Sequence, residues 1–397
     1  MDSVAAPIPF AGASPEPGLL AEVPRLLAWR LPARQLQFHG ELTDLQAALR
    51  QSGSRRRLLG AHTHRVASLN HRFVSNAGDQ TSESNQSDNM RTVSSSLKPN
   101  WHGVYPAATT QFKPDESIDF DATARHLDAM VKAGVHGMIL LGSVGENTAL
   151  DYDEKLTFLK EMKAALGGRV PLLSGVAEIT TSGACRFARD CERLGLDGLM
   201  VLPAMIYKAD AREAMTHFRA VARSSGLPIM VYNNPPAYFV DITPEMFTQL
   251  ADEPTLVAIK ESSGDVRRVT DLLNTVGDRY ILFSGVDDLV LESVLLGSQG
   301  WVSGLVNAFP DENRALWDLA MAGRWQEALA LYRWYTPLLH LDTHIKLVQY
   351  IKLCMMEVGL GSEITRAPRL AIEGAERERV LKIIRNAIAT RPYLDKA

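Results

Sequence analysis

The chain has 397 residues, 46% of them hydrophobic and 22% charged, an ordinary globular balance with length for one large domain and an appendage. Its formal net charge of -4 gives no electrostatic footprint for nucleic acid or an anionic membrane, so a small molecule is the expected partner. Three cysteines without CxxC spacing suggest neither a disulfide framework nor a zinc site. No apolar run reaches the ~20 residues of a membrane helix, and a basic-then-apolar leader is missing, so a cytoplasmic location is expected.

Residues 1–97 show little periodicity, and their basic residues are almost all arginine (Arg25, Arg30, Arg34, Arg55, Arg56, Arg57); lysine first appears at Lys98. The stretch 75–96 is rich in Ser, Asn, Gln and Asp and too apolar-poor to offset its ordering entropy, which predicts a disordered linker. Met90 precedes the ordered pattern, so one reading makes residues 1–89 a non-native extension with the true start at Met90. The other is an arginine-rich targeting or regulatory arm.

From Trp101 onward, short apolar runs alternate with amphipathic stretches, the pattern of βα units on a parallel sheet. Strands are predicted at 103–109, 137–141, 171–175, 198–202, 228–232, 256–260, 280–284 and 300–303. Helices are predicted at 120–133, 152–166, 182–194, 211–225, 244–251, 266–276 and 289–296. The helix-ending runs AGVHG, LGLDG, SGLP and LGSQG supply glycine stop signals. Beyond 311 only helices are predicted, at 313–321, 325–338, 345–358 and 375–388. The expected architecture is an α/β fold, a (β/α)8 TIM barrel over 98–310, with the last barrel helix and a C-terminal helical extension over 311–397.

Active sites of such barrels lie where strands end, so residues at those ends are the first candidates. Lys260 follows the apolar run Leu256-Val257-Ala258-Ile259 and by alternation can point into the barrel. A lysine of ordinary pKa is only about 0.04% neutral at pH 7, whereas burial lowers the pKa and exposes a nucleophilic amine. On strand position alone, a lysine leaving the sheet into solvent is the commoner case. Tyr232 ends the preceding strand, where a phenol can shuttle protons or simply close the barrel. The loop Gly142-Ser143-Val144-Gly145-Glu146 can converge amides on a carboxylate, or be an ordinary turn. Ser303, at the eighth strand end, is a further candidate for substrate contact. His340 and His344 stand four apart without a third ligand, which reads as a surface or packed pair, and Trp317, Trp325 and Trp334 read as packing.

Taken in order, Gly142-Ser143-Val144-Gly145-Glu146, Tyr232-Asn233-Asn234-Pro235, Ile259-Lys260-Glu261-Ser262-Ser263-Gly264 and Ser284-Gly285-Val286-Asp287-Asp288 resemble the motifs of the dihydrodipicolinate synthase and N-acetylneuraminate lyase family, over about 101–388. The resemblance implies a metal-free, cofactor-free class I mechanism in a homotetramer. Lys260 would condense with C2 of a 2-oxo acid or its imine, Tyr232 would relay protons, and the Ser143 hydroxyl with the 143 and 144 amides would hold the carboxylate.

Two departures narrow the expectation. Where the family's synthases carry an arginine two residues after the motif proline, this chain has Ala237, so the carboxylate clamp for a second substrate is missing. Val144 replaces a frequent threonine, and Ala204-Met205 replaces a tyrosine pair, with Tyr207 nearby, which puts the usual relay across a subunit interface in question. The run Tyr232-Asn233-Asn234-Pro235-Pro236-Ala237-Tyr238-Phe239 is similar to that of bacterial hydroxyproline-pathway deaminases. The implied activity is a lyase, with hydrolytic release of ammonia, acting on 1-pyrroline-4-hydroxy-2-carboxylate. The alternatives are a 2-keto-3-deoxy sugar-acid dehydratase, a 2-oxo-acid aldolase, a 4-hydroxy-tetrahydrodipicolinate synthase, or a catalytically silent 2-oxo-acid sensor or scaffold.

Overall fold

A computed structural model describes residues 98–394. The expected linker and the alternative start at Met90 lie outside the described residues. Eight parallel strands form one sheet: β1 (Gly103–Pro106), β2 (Met138–Leu140), β3 (Leu172–Val176), β4 (Gly198–Val201), β5 (Ile229–Asn233), β6 (Leu256–Glu261), β7 (Ile281–Ser284) and β8 (Gly300–Ser303). Neighbours in sequence are neighbours in the sheet, and β1 also pairs with β8 from Gly103↔Gly300 to Pro106↔Ser303. The ring closes through an Ala107↔Ile139 bridge, with the Ala108 amide donating to the Ile139 carbonyl at 2.9 Å. This is the expected (β/α)8 barrel.

Helices α1 (Phe120–Lys132), α2 (Tyr152–Leu166), α3 (Thr181–Arg193), α4 (Ala211–Ala222), α5 (Pro235–Tyr238), α6 (Pro244–Gln249), α7 (Arg267–Val276) and α8 (Val290–Leu295) fall between successive strands. Their starts are chemically marked. Asp119 accepts from the Ala122 amide, and Asp210 with Glu213 forms a reciprocal cap. Gly195, near the start of the LGLDG turn, leaves α3 at φ +71°, whereas Gly226 of SGLP is not left-handed and instead donates its amide to Glu192 at 2.8 Å.

The barrel interior is filled by side chains. Tyr105 and Phe283 meet edge-on with centroids 5.2 Å apart. Gly137 and Gly300 make room for them, since a Cβ at either would come within 2.1 Å of the facing ring.

After the barrel come α9 (Pro310–Met321), α10 (Trp325–Asp342), α11 (Leu347–Glu357) and α12 (Gly374–Ala389). α10 runs past its expected end at 338: Pro337 lies inside it and the helix continues one more turn to Asp342. Trp317 is buried, Trp325 packs partly buried on the core, and Trp334 stacks on Tyr335 at 5.5 Å. His340 bonds Asp288 at 2.7 Å, while His344 stacks on Tyr350.

Candidate active site

Parallel register brings the two principal candidates together. Tyr232 on β5 and Lys260 on β6 are direct partners in the ladder, and Lys260 is in turn paired with Phe283 on β7. Residues opposite one another on adjacent strands face the same side, so both side chains enter the barrel mouth. Both are buried, with the Lys260 Nζ 4.0 Å from the centroid of the Tyr232 ring. Burial holds the ammonium below the ordinary lysine range, with Tyr238, Asp342 and Asp287 acting in the opposite direction. Gly285 is what lets the lysine lie there: a Cβ at that position would stand 2.0 Å from the Ser262 Oγ and 2.8 Å from the Lys260 Cγ.

The strand end beyond Lys260 is fastened by a polar network. Glu261 accepts from the Asn233 side chain at 3.0 Å and the Ser263 amide at 2.6 Å, and the Asn233 side-chain Oδ1 accepts from the Ile242 amide at 2.9 Å. Asn234 has two tasks. Its Oδ1 caps α5 by accepting from the Ala237 amide at 3.1 Å, and its Nδ2 donates to the Tyr232 hydroxyl at 2.9 Å. The short helix therefore registers the phenol.

Helix α5 also turns Tyr238 back over the site. Its ring meets Tyr232 edge-on with centroids 5.6 Å apart, its hydroxyl bonds the Ser143 hydroxyl, and the two phenols perturb one another's ionisation. Tyr232 is buried while Tyr238 and Ser143 are half-buried, so three hydroxyls lead from Lys260 towards the rim. Burial raises both phenols above the ordinary tyrosine range, which keeps them protonated near neutral pH. Ala237 is exposed beside them.

The glycine loop after β2 faces this row. Leu141 and Glu146 flank it at φ +54° and +57°, a backbone shape that non-glycine residues hold only when surroundings impose it. Asn147 donates to the Leu141 carbonyl at 2.9 Å and Thr110 to that of Gly145 at 2.8 Å. Glu146 accepts from Lys352 of α11 at 2.6 Å, a pair with both side chains fully buried. Among the described residues the amides of Ser143 and Val144 donate to no backbone carbonyl, which leaves them for an anion. Gly142 packs against Met200, where a Cβ would stand 3.2 Å from the methyl group.

Ser303 ends β8, and its hydroxyl is engaged within the protein. Its hydroxyl donates to Asp287 at 3.0 Å and accepts from Asn313 at 2.7 Å and the Val306 amide at 3.2 Å. Asp287 collects further donors from Trp301 at 2.8 Å and the amides of Gly304 at 3.2 Å and Leu305 at 2.9 Å. Tyr207 is exposed and bonds Glu213, away from Lys260's ring of partners.

A buried amine at a barrel strand end, with a phenol beside it and a loop of free amides opposite, defines a barrel enzyme suited to covalent work on a carbonyl carbon next to a carboxylate. The Dihydrodipicolinate synthetase family matches residues 100–387. A 4-hydroxy-tetrahydrodipicolinate synthase of Xanthomonas campestris pv. campestris is 32% identical over 290 residues, covering 72% of this chain and 95% of that protein. An N-acetylneuraminate lyase of Rhizobium meliloti is 30% identical over 287 residues, covering 72% and 94%. Among solved structures, the 4-hydroxy-tetrahydrodipicolinate synthase of Methylacidiphilum fumariolicum SolV superposes with TM-score 0.69 at 26% identity, covering 73% of this chain and 98% of that one. The chain belongs to the dihydrodipicolinate synthetase family, and its class is that of the Schiff-base class I lyases.

Proposed function

We propose that this protein is a deaminase of 1-pyrroline-4-hydroxy-2-carboxylate, with Lys260 as the nucleophile. One observation carries the choice within the family. At Ala237, where a synthase would need a cationic clamp for a second carboxylate, there is only a methyl group, and the next residue, Tyr238, is folded inward onto Ser143. A site so built takes one carboxylate, held by the Ser143 hydroxyl and the Ser143 and Val144 amides beside Gly142.

The neutral Lys260 amine adds to C2 of the cyclic imine, and the ring nitrogen, receiving a proton, leaves C2 as a free amine. Tyr232, Tyr238 and Ser143 carry that proton between Lys260 and the departing nitrogen. The protonated imine on Lys260 acidifies C3, and loss of a C3 proton gives an enamine that expels the C4 hydroxyl as water. Isomerisation moves unsaturation to C5, where water releases ammonia, and a second water frees the product from Lys260. In balance, one substrate and one water give 2,5-dioxopentanoate and ammonia.

The N-acetylneuraminate lyase relative favours aldolase or sugar-acid dehydratase chemistry as the second reading, since both use the same lysine and tyrosine. Purified protein supplied with 1-pyrroline-4-hydroxy-2-carboxylate should release ammonia and 2,5-dioxopentanoate in equal amounts. Absence of ammonia, with turnover of a 2-keto-3-deoxy sugar acid instead, would replace the deaminase by the second reading. We propose a cytoplasmic homotetramer as the working form: Ile179, Ile206, Tyr207 and Phe239, on loops after β3, β4 and β5, expose large apolar surface suited to a second copy.

A further inference from the structure

Helix α10 delivers a carboxyl group that the steps above do not use. Asp342 is the last residue of that helix, where the backbone dipole opposes negative charge. The residue as a whole is half-buried, but its Oδ1 is fully buried and has no hydrogen-bond partner among the described residues. It lies against Gly304, just past β8: a Cβ there would stand 2.2 Å from that Oδ1. The Gly304 amide meanwhile donates to Asp287 at 3.2 Å, so two acids flank one residue just past β8.

The two acids differ in what satisfies them. Asp287 has four donors and is a structural anion tying β7 to β8. Asp342 has none, and a buried polar atom without a partner is rare enough in folded proteins to need an explanation. A ligand group is the simplest one, because Gly304, which the oxygen touches, follows β8 at the barrel rim and donates to Asp287, two residues after the Gly285 that packs on the Lys260 side chain.

We propose that Asp342 is a catalytic residue facing C4 of the acid condensed on Lys260, where it donates its proton to the departing hydroxyl; this rests on the deaminase reading. In the step, the enamine nitrogen pair re-forms the C2 iminium, the C2–C3 pair becomes C3–C4, and the C4–O bond breaks. The oxygen takes the Asp342 proton and leaves as water. The resulting carboxylate then removes a proton from C5 as the conjugated iminium isomerises, which restores the acid.

The surroundings favour the neutral donor. Burial raises the Asp342 carboxyl well above the ordinary carboxylate range; Asp287 and Asp288 add to this and Lys260 opposes it. Tyr232 from β5, Tyr335 from α10 itself and Cys354 from α11 are further titratable groups within its field. Loss of the proton at high pH therefore removes the active form.

The test compares wild type with Asp342→Asn, which keeps the shape. Exchange of the pyruvate methyl hydrogens in heavy water reports imine and enamine formation on Lys260 without any leaving group. Exchange should stay within about threefold while ammonia release from 1-pyrroline-4-hydroxy-2-carboxylate falls at least about 100-fold, the ordinary size of a general-acid effect. The alkaline limb of the wild-type kcat/KM profile should vanish in the residual activity of the variant. Unchanged ammonia release, or equal loss of exchange and release, overturns the proposal. If wild type exchanges pyruvate hydrogens but releases no ammonia, the deaminase reading fails instead. The same comparison is then made on dehydration of a 2-keto-3-deoxy sugar acid, where unchanged turnover in Asp342→Asn overturns the assignment.

Discussion

Tyr232 and Lys260 occupy opposed positions on adjacent parallel strands, and the amine lies 4.0 Å from the centre of the phenol ring. The contact gives a cation a quadrupole to rest on, yet it replaces little of the hydration that the ammonium loses. Burial of Lys260 therefore comes at a cost in stability.

That cost is measurable. Lys260→Met, similar in volume and apolar, should be more stable than wild type by about 1 kcal/mol or more in urea unfolding near pH 7. The sign with pH follows from the depressed lysine: between its folded pKa and the ordinary value of 10.5, the unfolded chain binds more protons, so wild-type stability rises with pH. The advantage of Lys260→Met is thus largest below that window and shrinks through it. A variant less stable than wild type at every pH would show that the lysine is instead well compensated.

Removing one oxygen cuts the row of hydroxyls. Tyr238→Phe keeps the edge-on packing with Tyr232 but loses the bond to Ser143. Imine formation with pyruvate, followed in single turnover, should slow by about 100-fold or more, with thermal stability changed little. An unaltered rate would confine proton transfer to Tyr232 and solvent.

The buried Lys352–Glu146 pair holds the loop that presents the Ser143 and Val144 amides. Lys352→Met leaves Glu146 with the Arg366 amide at 3.0 Å and Arg369 at 3.7 Å, which cannot replace the lost cation at close range. Unfolding free energy should drop by about 3 kcal/mol, and the pyruvate concentration needed for half-saturation should rise as the loop loosens. Unfolding midpoints matching wild type would show the pair to be dispensable.

The barrel was legible because period-two and period-3.6 apolar patterns are local, and Lys260 and Tyr232 stood out because their strands ended on them. Helix α5 was missed: four residues are too few for periodicity, although Asn234 before Pro235-Pro236 is a helix-start signal. Single turns of 3-10 helix at Asn147–Ala149, Asp287–Leu289 and Leu305–Asn307 escaped for the same reason. Long-range partners leave no local trace. Glu146 and Lys352 are 206 residues apart, and Asp342 reads as an ordinary polar residue near a helix end until α10 is packed beside β8. The position of Ser303 at a strand end is legible locally, whereas its hydrogen bond to Asp287 on another element is not.

The most direct test of the account is to trap the covalent intermediate. Pyruvate followed by borohydride should add one reduced pyruvyl group per chain, located by peptide mass spectrometry on Lys260 and missing in Lys260→Met. A modification on another lysine, or none at all, would contradict the assignment of Lys260 as the nucleophile.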